Sequence, residues 1–252
     1  FVVAATQKSN FKIYYNGTLV YQDSTKQDNF YLSSTAGGIH TVVLQAEYDT
    51  TTVYDTAYYA VQGPLNVGVL PGGMEQGINE LNDTTVFFKL YAPFKNRVYC
   101  LTSLNDFLPD TLNAMTRTPG GAWWFLEMTV PAGQPFTYQY MMDGDLRVAD
   151  PYSEQVLDPW NDGYISSATY PNLPSYPTGN TTGIVSLYET AKPAYQWSNT
   201  TFNAPDKEEL LIYELLIRDF VSTRNYQSLI DTLDYIERLG VNAIELMPNS
   251  EF

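Results

Sequence analysis

The chain is 252 residues long, 44% hydrophobic and 15% aromatic, with 28 acidic against 13 basic side chains and a formal net charge of −15. That balance argues against nucleic acid, whose phosphates need a basic face, and against adhesion to anionic membranes. One cysteine, Cys100, excludes an internal disulfide framework, and no apolar run is long enough to span a bilayer. The length leaves room for more than one domain, and 21 tyrosines suit a strand-rich chain.

From residue 1 to 63 the chain reads as short strands between turn signals. Phe11 to Tyr15 alternates, Asn16-Gly17 is a hairpin signature, and Leu19 to Tyr21 resumes the strand. Gly37-Gly38 precedes an extended run from His40 to Tyr48, and Val53 to Val61 follows a Thr-rich turn. Few charges and no helical period predict a small immunoglobulin-like β-sandwich. His40, the lone histidine, has no neighbouring Cys or His and reads as structural.

Gly63-Pro64 and Pro71-Gly72-Gly73 punctuate the next boundary. A second all-β unit is predicted over 64–168, with strands at Thr85 to Ala92, Arg97 to Thr102, Trp123 to Val130 and Phe136 to Met142. Asp143-Gly144 turns the last of these into Leu146 to Ala149. Asp143-Gly144-Asp145 lacks the ligand spacing of a calcium loop and reads as a turn. Cys100 lies in an apolar strand and reads as a buried small hydrophobe. Trp123 and Trp124 alternate along one strand, so at most one of them faces solvent. Residues 169–206 are rich in Pro, Ser, Thr, Asn and Tyr and read as a linker.

Residues 207–252 change character. An apolar run from Leu210 fits a buried strand. A helical stripe of Tyr226, Leu229, Ile230, Leu233, Ile236 and Leu239 follows, opened by Asn225 as N-cap and closed by Gly240. Val241 to Met247 is again a strand, stopped by Pro248. Strand, helix and strand make one right-handed βαβ unit, which needs further strands beside it. The start without Met and the end within an unfinished sheet suggest a piece of a longer protein.

This last stretch resembles the opening of the catalytic barrel in the alpha-amylase family, glycoside hydrolase family 13. The residues are Ile212-Tyr213-Glu214-Leu215 with Arg218-Asp219-Phe220, then Leu239-Gly240-Val241-Asn242-Ala243-Ile244-Glu245-Leu246-Met247-Pro248, then Glu251-Phe252. Upstream, Leu90-Tyr91-Ala92-Pro93, Asn105-Asp106-Phe107, Tyr138-Gln139-Tyr140 with Asp143-Gly144, and Asp150-Pro151-Tyr152 resemble carbohydrate-binding module family 48. The fold implied is mostly β: two immunoglobulin-like β-sandwich domains, then the first β-α-β unit of an incomplete (β/α)8 TIM barrel. The function implied is that of the N-terminal part of an α-glucan-active enzyme working by retaining glycoside hydrolysis or transfer, secreted or at the surface of a bacterial envelope. The other reading is a non-catalytic glucan-binding or cell-surface sandwich protein, which would have no reason to carry the βαβ unit.

A retaining glycosidase needs two carboxylates about 5–5.5 Å apart, and the family takes its acids from later barrel strands. No catalytic residue is therefore expected in this chain, no activity from it alone, and no cofactor or metal. Glu214 and Glu245 sit mid-strand and read as structural. Asn249 and Glu251 follow the second strand, at the barrel's active-site end, and are candidate substrate contacts. In the module, the family's two tryptophan positions and lysine position fall on Phe107, Leu146 and Gln139. All three depart from the sugar-binding pattern, so the module is expected to be mainly a structural shoulder, with Phe107 its candidate sugar contact. The expected partner is an α-glucan polysaccharide or maltooligosaccharide, with no nucleic acid and no membrane-spanning segment.

Overall fold

A computed structural model describes residues 2–34 and 36–247. Four long strands come first: β1 (Val2–Tyr15), β2 (Thr18–Asn29), β3 (Gly38–Tyr48) and β4 (Thr51–Val61). They form one antiparallel sheet in the order β2-β1-β3-β4. Asn16 and Gly17 both take positive φ, 47° and 79°, as a tight hairpin between right-twisted strands requires. Phe11, Ile13 and Val42 bury one face of the sheet, and Phe30 and Leu32 fold over it from the segment after β2. His40 sits on that side between Tyr15 and Tyr59, with ring centroids 5.4 and 5.1 Å away. Its Nε2 donates to the Ala36 carbonyl at 2.8 Å, so Nδ1 is free to accept from the Tyr15 hydroxyl. The two-layer sandwich expected over 1–63 is corrected here: all four strands lie in one layer. β2, TLVYQDSTKQDN, is polar, has no fully buried position and lies at the sheet's edge, so it does not supply the apolar face that a second layer would need.

Nine shorter strands follow: β5 (Gly77–Asn82), β6 (Thr85–Tyr91), β7 (Val98–Thr102), β8 (Thr116–Arg117), β9 (Trp123–Thr129), β10 (Phe136–Met142), β11 (Leu146–Val148), β12 (Gln155–Leu157) and β13 (Val185–Tyr188). One sheet runs β5-β6-β9-β8; the other runs β11-β10-β13-β12, with β7 also paired to β10. Their facing sides meet in a core of Val86, Phe88, Leu90, Cys100, Trp124, Phe136, Tyr138 and Tyr140. Trp124 points into this core and Trp123 packs outside against Tyr91, as alternation along β9 requires. Burial pushes the Cys100 thiol well above its ordinary pKa, which leaves it an inert packing group.

β10 is buried along its whole length. Its second face, with Met141, packs on Tyr99, Leu101, Phe107, Leu157 and Val185, under a cover that includes Leu173 and Tyr176. That cover comes from the stretch expected to be a linker. β13 lies within 169–206 and pairs Phe136, Thr137 and Tyr138 with Tyr188, Leu187 and Ser186. The expected boundary at 168 is therefore too early, because the sandwich continues at least through β13. A four-residue strand among Pro, Gly and Thr carries little local signal, and its β10 partners lie about 50 positions away in the chain.

The chain then forms β14 (Ile212–Leu215), α1 (Ile217–Phe220), α2 (Tyr226–Ile230), α3 (Leu233–Arg238) and β15 (Ala243–Leu246). β14 and β15 pair in parallel, Ile212 opposite Ala243 through Leu215 opposite Leu246. Asn225 caps α2, its Oδ1 accepting from the Ser228 amide at 2.8 Å, and Gly240 takes φ 85° after α3. The first strand ends at Leu215 and the chain turns into one helical turn, so Ile217 to Phe220 is not strand. The helical stretch is two short helices interrupted at Asp231 and Thr232. Leu215, Leu229 and Ile236 form its small core.

Candidate functional site

Parallel β/α units place working residues beyond the C-terminal ends of their strands. Here those ends open into a cleft of about 500 Å3 between the β14/β15 unit and the tail of the sandwich. Leu216, Ile217 and Met247 supply an apolar wall; Tyr164, Tyr170 and Tyr226 supply rings; Arg218, Arg224 and Asn225 supply polar groups. Two hydrogen bonds fix the sides together: Asn225 Nδ2 to the Ala168 carbonyl at 3.0 Å, and Thr169 Oγ1 to the Thr223 carbonyl at 3.3 Å. Asn225 thus caps a helix with its oxygen and ties the sandwich with its nitrogen. Arg218 also reaches Asp219 at 3.2 Å, an exposed pair worth little in stability.

Rings and hydrogen-bond donors without a carboxylate can grip a polyhydroxylated ligand but cannot supply an acid and a base. Among the described residues no Asp or Glu lines the cleft, and no group of three or more His, Cys, Asp or Glu side chains converges as a metal site. Glu214 and Glu245 stand opposite each other across the parallel pair and are exposed, yet neither belongs to the cleft lining.

The sequence-derived sugar contacts fare differently. Asn249 and Glu251 lie outside the described residues. Phe107 is 1% exposed within the second core cluster, so its ring offers no face to a sugar; that expectation is corrected. The cover over β10 that holds β13 also buries the neighbouring position. Gln139 is fully buried, donates to the Thr182 and Ile184 carbonyls at 2.9 and 2.8 Å, and accepts from Thr181 Oγ1 at 2.9 Å. Its amide is spent on holding that cover. Leu146 alone of the three is exposed. Phe107→Ala should therefore cost about 3–5 kcal/mol of stability, the range for emptying a core phenylalanine site, while leaving maltooligosaccharide affinity unchanged. Urea unfolding and calorimetric titration of the same variant check both halves. Tyr164 and Tyr170 carried no periodic or motif signal; only the docking of the sandwich tail brings them to Arg218 and Tyr226.

No protein-family model matches the chain. It is 27% identical to the malto-oligosyltrehalose trehalohydrolase of Saccharolobus solfataricus over 69% of the chain and 25% of that enzyme. It is 25% identical to chloroplastic isoamylase 1 of Arabidopsis thaliana over 68% of the chain and 24% of that protein. Among solved structures, a Salmonella typhimurium protein described as an alpha amylase superposes with a TM-score of 0.51 at 22% identity, covering 70% of this chain and 25% of that one. The chain thus spans about a quarter of the length of the curated relatives it matches. Its mostly β fold of several antiparallel sheets is thus shared with part of that solved structure. More particularly, the chain is related to part of the alpha-amylase family, glycoside hydrolase family 13.

Proposed function

We propose that the chain is the N-terminal part of an α-glucan-active enzyme, secreted or held at a bacterial envelope, that cleaves or transfers glucosyl units with retention. The observation that carries this reading is the parallel β14–β15 pair with its helical crossover, docked by Asn225 and Thr169 onto a β-sandwich. A sandwich that only bound sugar would gain nothing from such a unit. In this reading β14, the helical stretch and β15 are the first strand, first helix and second strand of a (β/α)8 barrel, and the sandwich is a carbohydrate-binding-module-like shoulder. The catalytic carboxylates come from later strands. The cleft of Tyr164, Tyr226 and Arg218 then lies on the barrel's substrate side.

The test is the complete gene product assayed on α-1,4- and α-1,6-linked glucans, with the anomer of the first product read by NMR. Retained configuration is expected, and the 252-residue chain by itself should turn over none of these substrates. Inverted configuration, or no reaction on any α-glucan, would overturn the reading.

A further inference from the structure

A second concavity, of about 590 Å3, opens at the end of the β5-β6-β9-β8 sheet. It is lined by Tyr91, Phe94, Lys95, Asn96 and Arg117, with Gly120 and Gly121 on its wall. Its size falls in the about 300–1,000 Å3 range of small-molecule sites. Phe107, Gln139 and Leu146, the positions to which the family resemblance pointed, do not line it.

Folding alone does not account for what is displayed there. Phe94 follows Pro93 in a turn and takes φ 63°, a region that bulky side chains avoid because Cβ crowds the backbone. Its side chain is 97% exposed, so no core contact offsets that strain. The turn is held in place: Asp143 Oδ1 accepts from the Asn96 and Arg97 amides at 2.8 and 3.0 Å. Tyr91 is braced rather than loose, its ring 4.9 Å from Trp123 and tilted by 59°, and Trp123 in turn carries Lys89 Nζ at 5.0 Å. Arg117 stands 5.9 Å from the Trp124 ring, and its buried Nε has no hydrogen-bond partner. In a chain with 28 acidic residues, none of the described residues lining this cleft is acidic. The cleft therefore presents the open Phe94 ring on a held turn, the braced Tyr91 ring and a set of donors, a display suited to a ligand rich in acceptor oxygens.

We propose that this cleft binds a short α-glucan chain, with Phe94 and Tyr91 stacking on the apolar faces of successive glucose rings and Lys95, Asn96 and Arg117 donating to their hydroxyl oxygens. The choice of glucose polymer rests on the enzyme reading above; the site itself rests on the cleft. A stacking platform on a sandwich would hold a polymer near the barrel without taking part in bond cleavage.

Maltoheptaose binding to the chain, followed by calorimetric or NMR titration, tests this. Phe94→Gly should weaken binding about tenfold, the loss of one good aromatic contact, while thermal stability stays the same or rises because glycine accepts φ 63°. Arg117→Gln should weaken binding as well. Unchanged affinity in Phe94→Gly, or a loss of affinity that only tracks a lower melting temperature, would overturn the proposal. Tighter binding of glucose phosphates than of maltoheptaose, lost in Lys95→Gln, would overturn it too by making the cleft an anion site. The two readings can fail separately. A complete enzyme that cleaves glucans while Phe94→Gly binds normally sinks only this site. Phe94-dependent binding of maltoheptaose in a protein with no action on glucans supports the site and sinks the enzyme reading.

Discussion

Trp124→Ala is expected to lower the unfolding free energy by about 3–5 kcal/mol, enough to unfold a marginal domain. The indole is fully buried at the centre of the sandwich core. Its Nε1 donates to the Ala92 carbonyl at 2.9 Å, joining the end of β6 to β9. Truncation removes the largest side chain in that core, leaves a cavity the two paired sheets cannot close, and strips a buried carbonyl of its donor. Trp124→Phe keeps most of the volume and loses the hydrogen bond, so it should cost about 1–2 kcal/mol. Guanidinium unfolding of the two variants separates the contributions. Near-equal losses would mean the core relaxes around the gap, contrary to its close packing.

Asp150→Ala should be about as severe, for a polar reason. Asp150 Oδ2 accepts from the hydroxyls of Tyr138 and Tyr140 at 2.9 and 3.0 Å. Its Oδ1 accepts from the Tyr152 amide at 2.9 Å, and its own amide donates to Ser186 Oγ on β13 at 2.8 Å. One residue thus ties three parts together, its carboxylate reaching β10 and the turn after β11 and its amide reaching β13. Removing it leaves two buried phenols without their acceptor, at about 1–3 kcal/mol each. Asp150→Asn, which retains one acceptor oxygen, should lie between. The same network sets an alkaline limit. Burial first, and then the Asp150 charge, raise the pKa values of Tyr138 and Tyr140. Above about pH 10, where unfolded tyrosines lose protons, the folded state still holds two that the unfolded state has given up. Stability is therefore complete below that pH and falls as the pH climbs further. Tyrosinate absorbance followed alongside circular dichroism should reach the amplitude of all 21 tyrosines only as the fold is lost; that full amplitude near pH 10 in a fully folded chain would contradict the network.

The elements with strong local signals were legible. Asn16-Gly17, Asp143-Gly144, the Asn225 cap and the Gly240 stop each need one particular backbone geometry that few residue types allow, and each lies at an element boundary. The parallel β14–β15 pair followed from an apolar run, a helical stripe and a second apolar run. β13 and the burial of Phe107 were not legible, because both depend on a strand pairing across about 50 residues of weakly patterned chain. Nothing local distinguishes Phe107 on a sugar-facing surface from Phe107 beneath a cover brought from position 173 onward. The single layer of the N-terminal sheet leaves no mark in the sequence, because alternation reports that one face is buried, not what buries it.

By itself, then, the sequence determined the strand-rich class, the hairpins, the βαβ unit and the likeness to a glucan-active family, since these rest on short-range pattern and backbone stereochemistry. The tertiary structure decided which aromatic residues have a face to offer. It placed Phe107 in the core and left Phe94 in the open, although both are phenylalanines in turns at positive φ, 56° and 63°. The difference is whether another segment folds over the ring, and that is fixed by long-range pairing rather than by the residue or its neighbours.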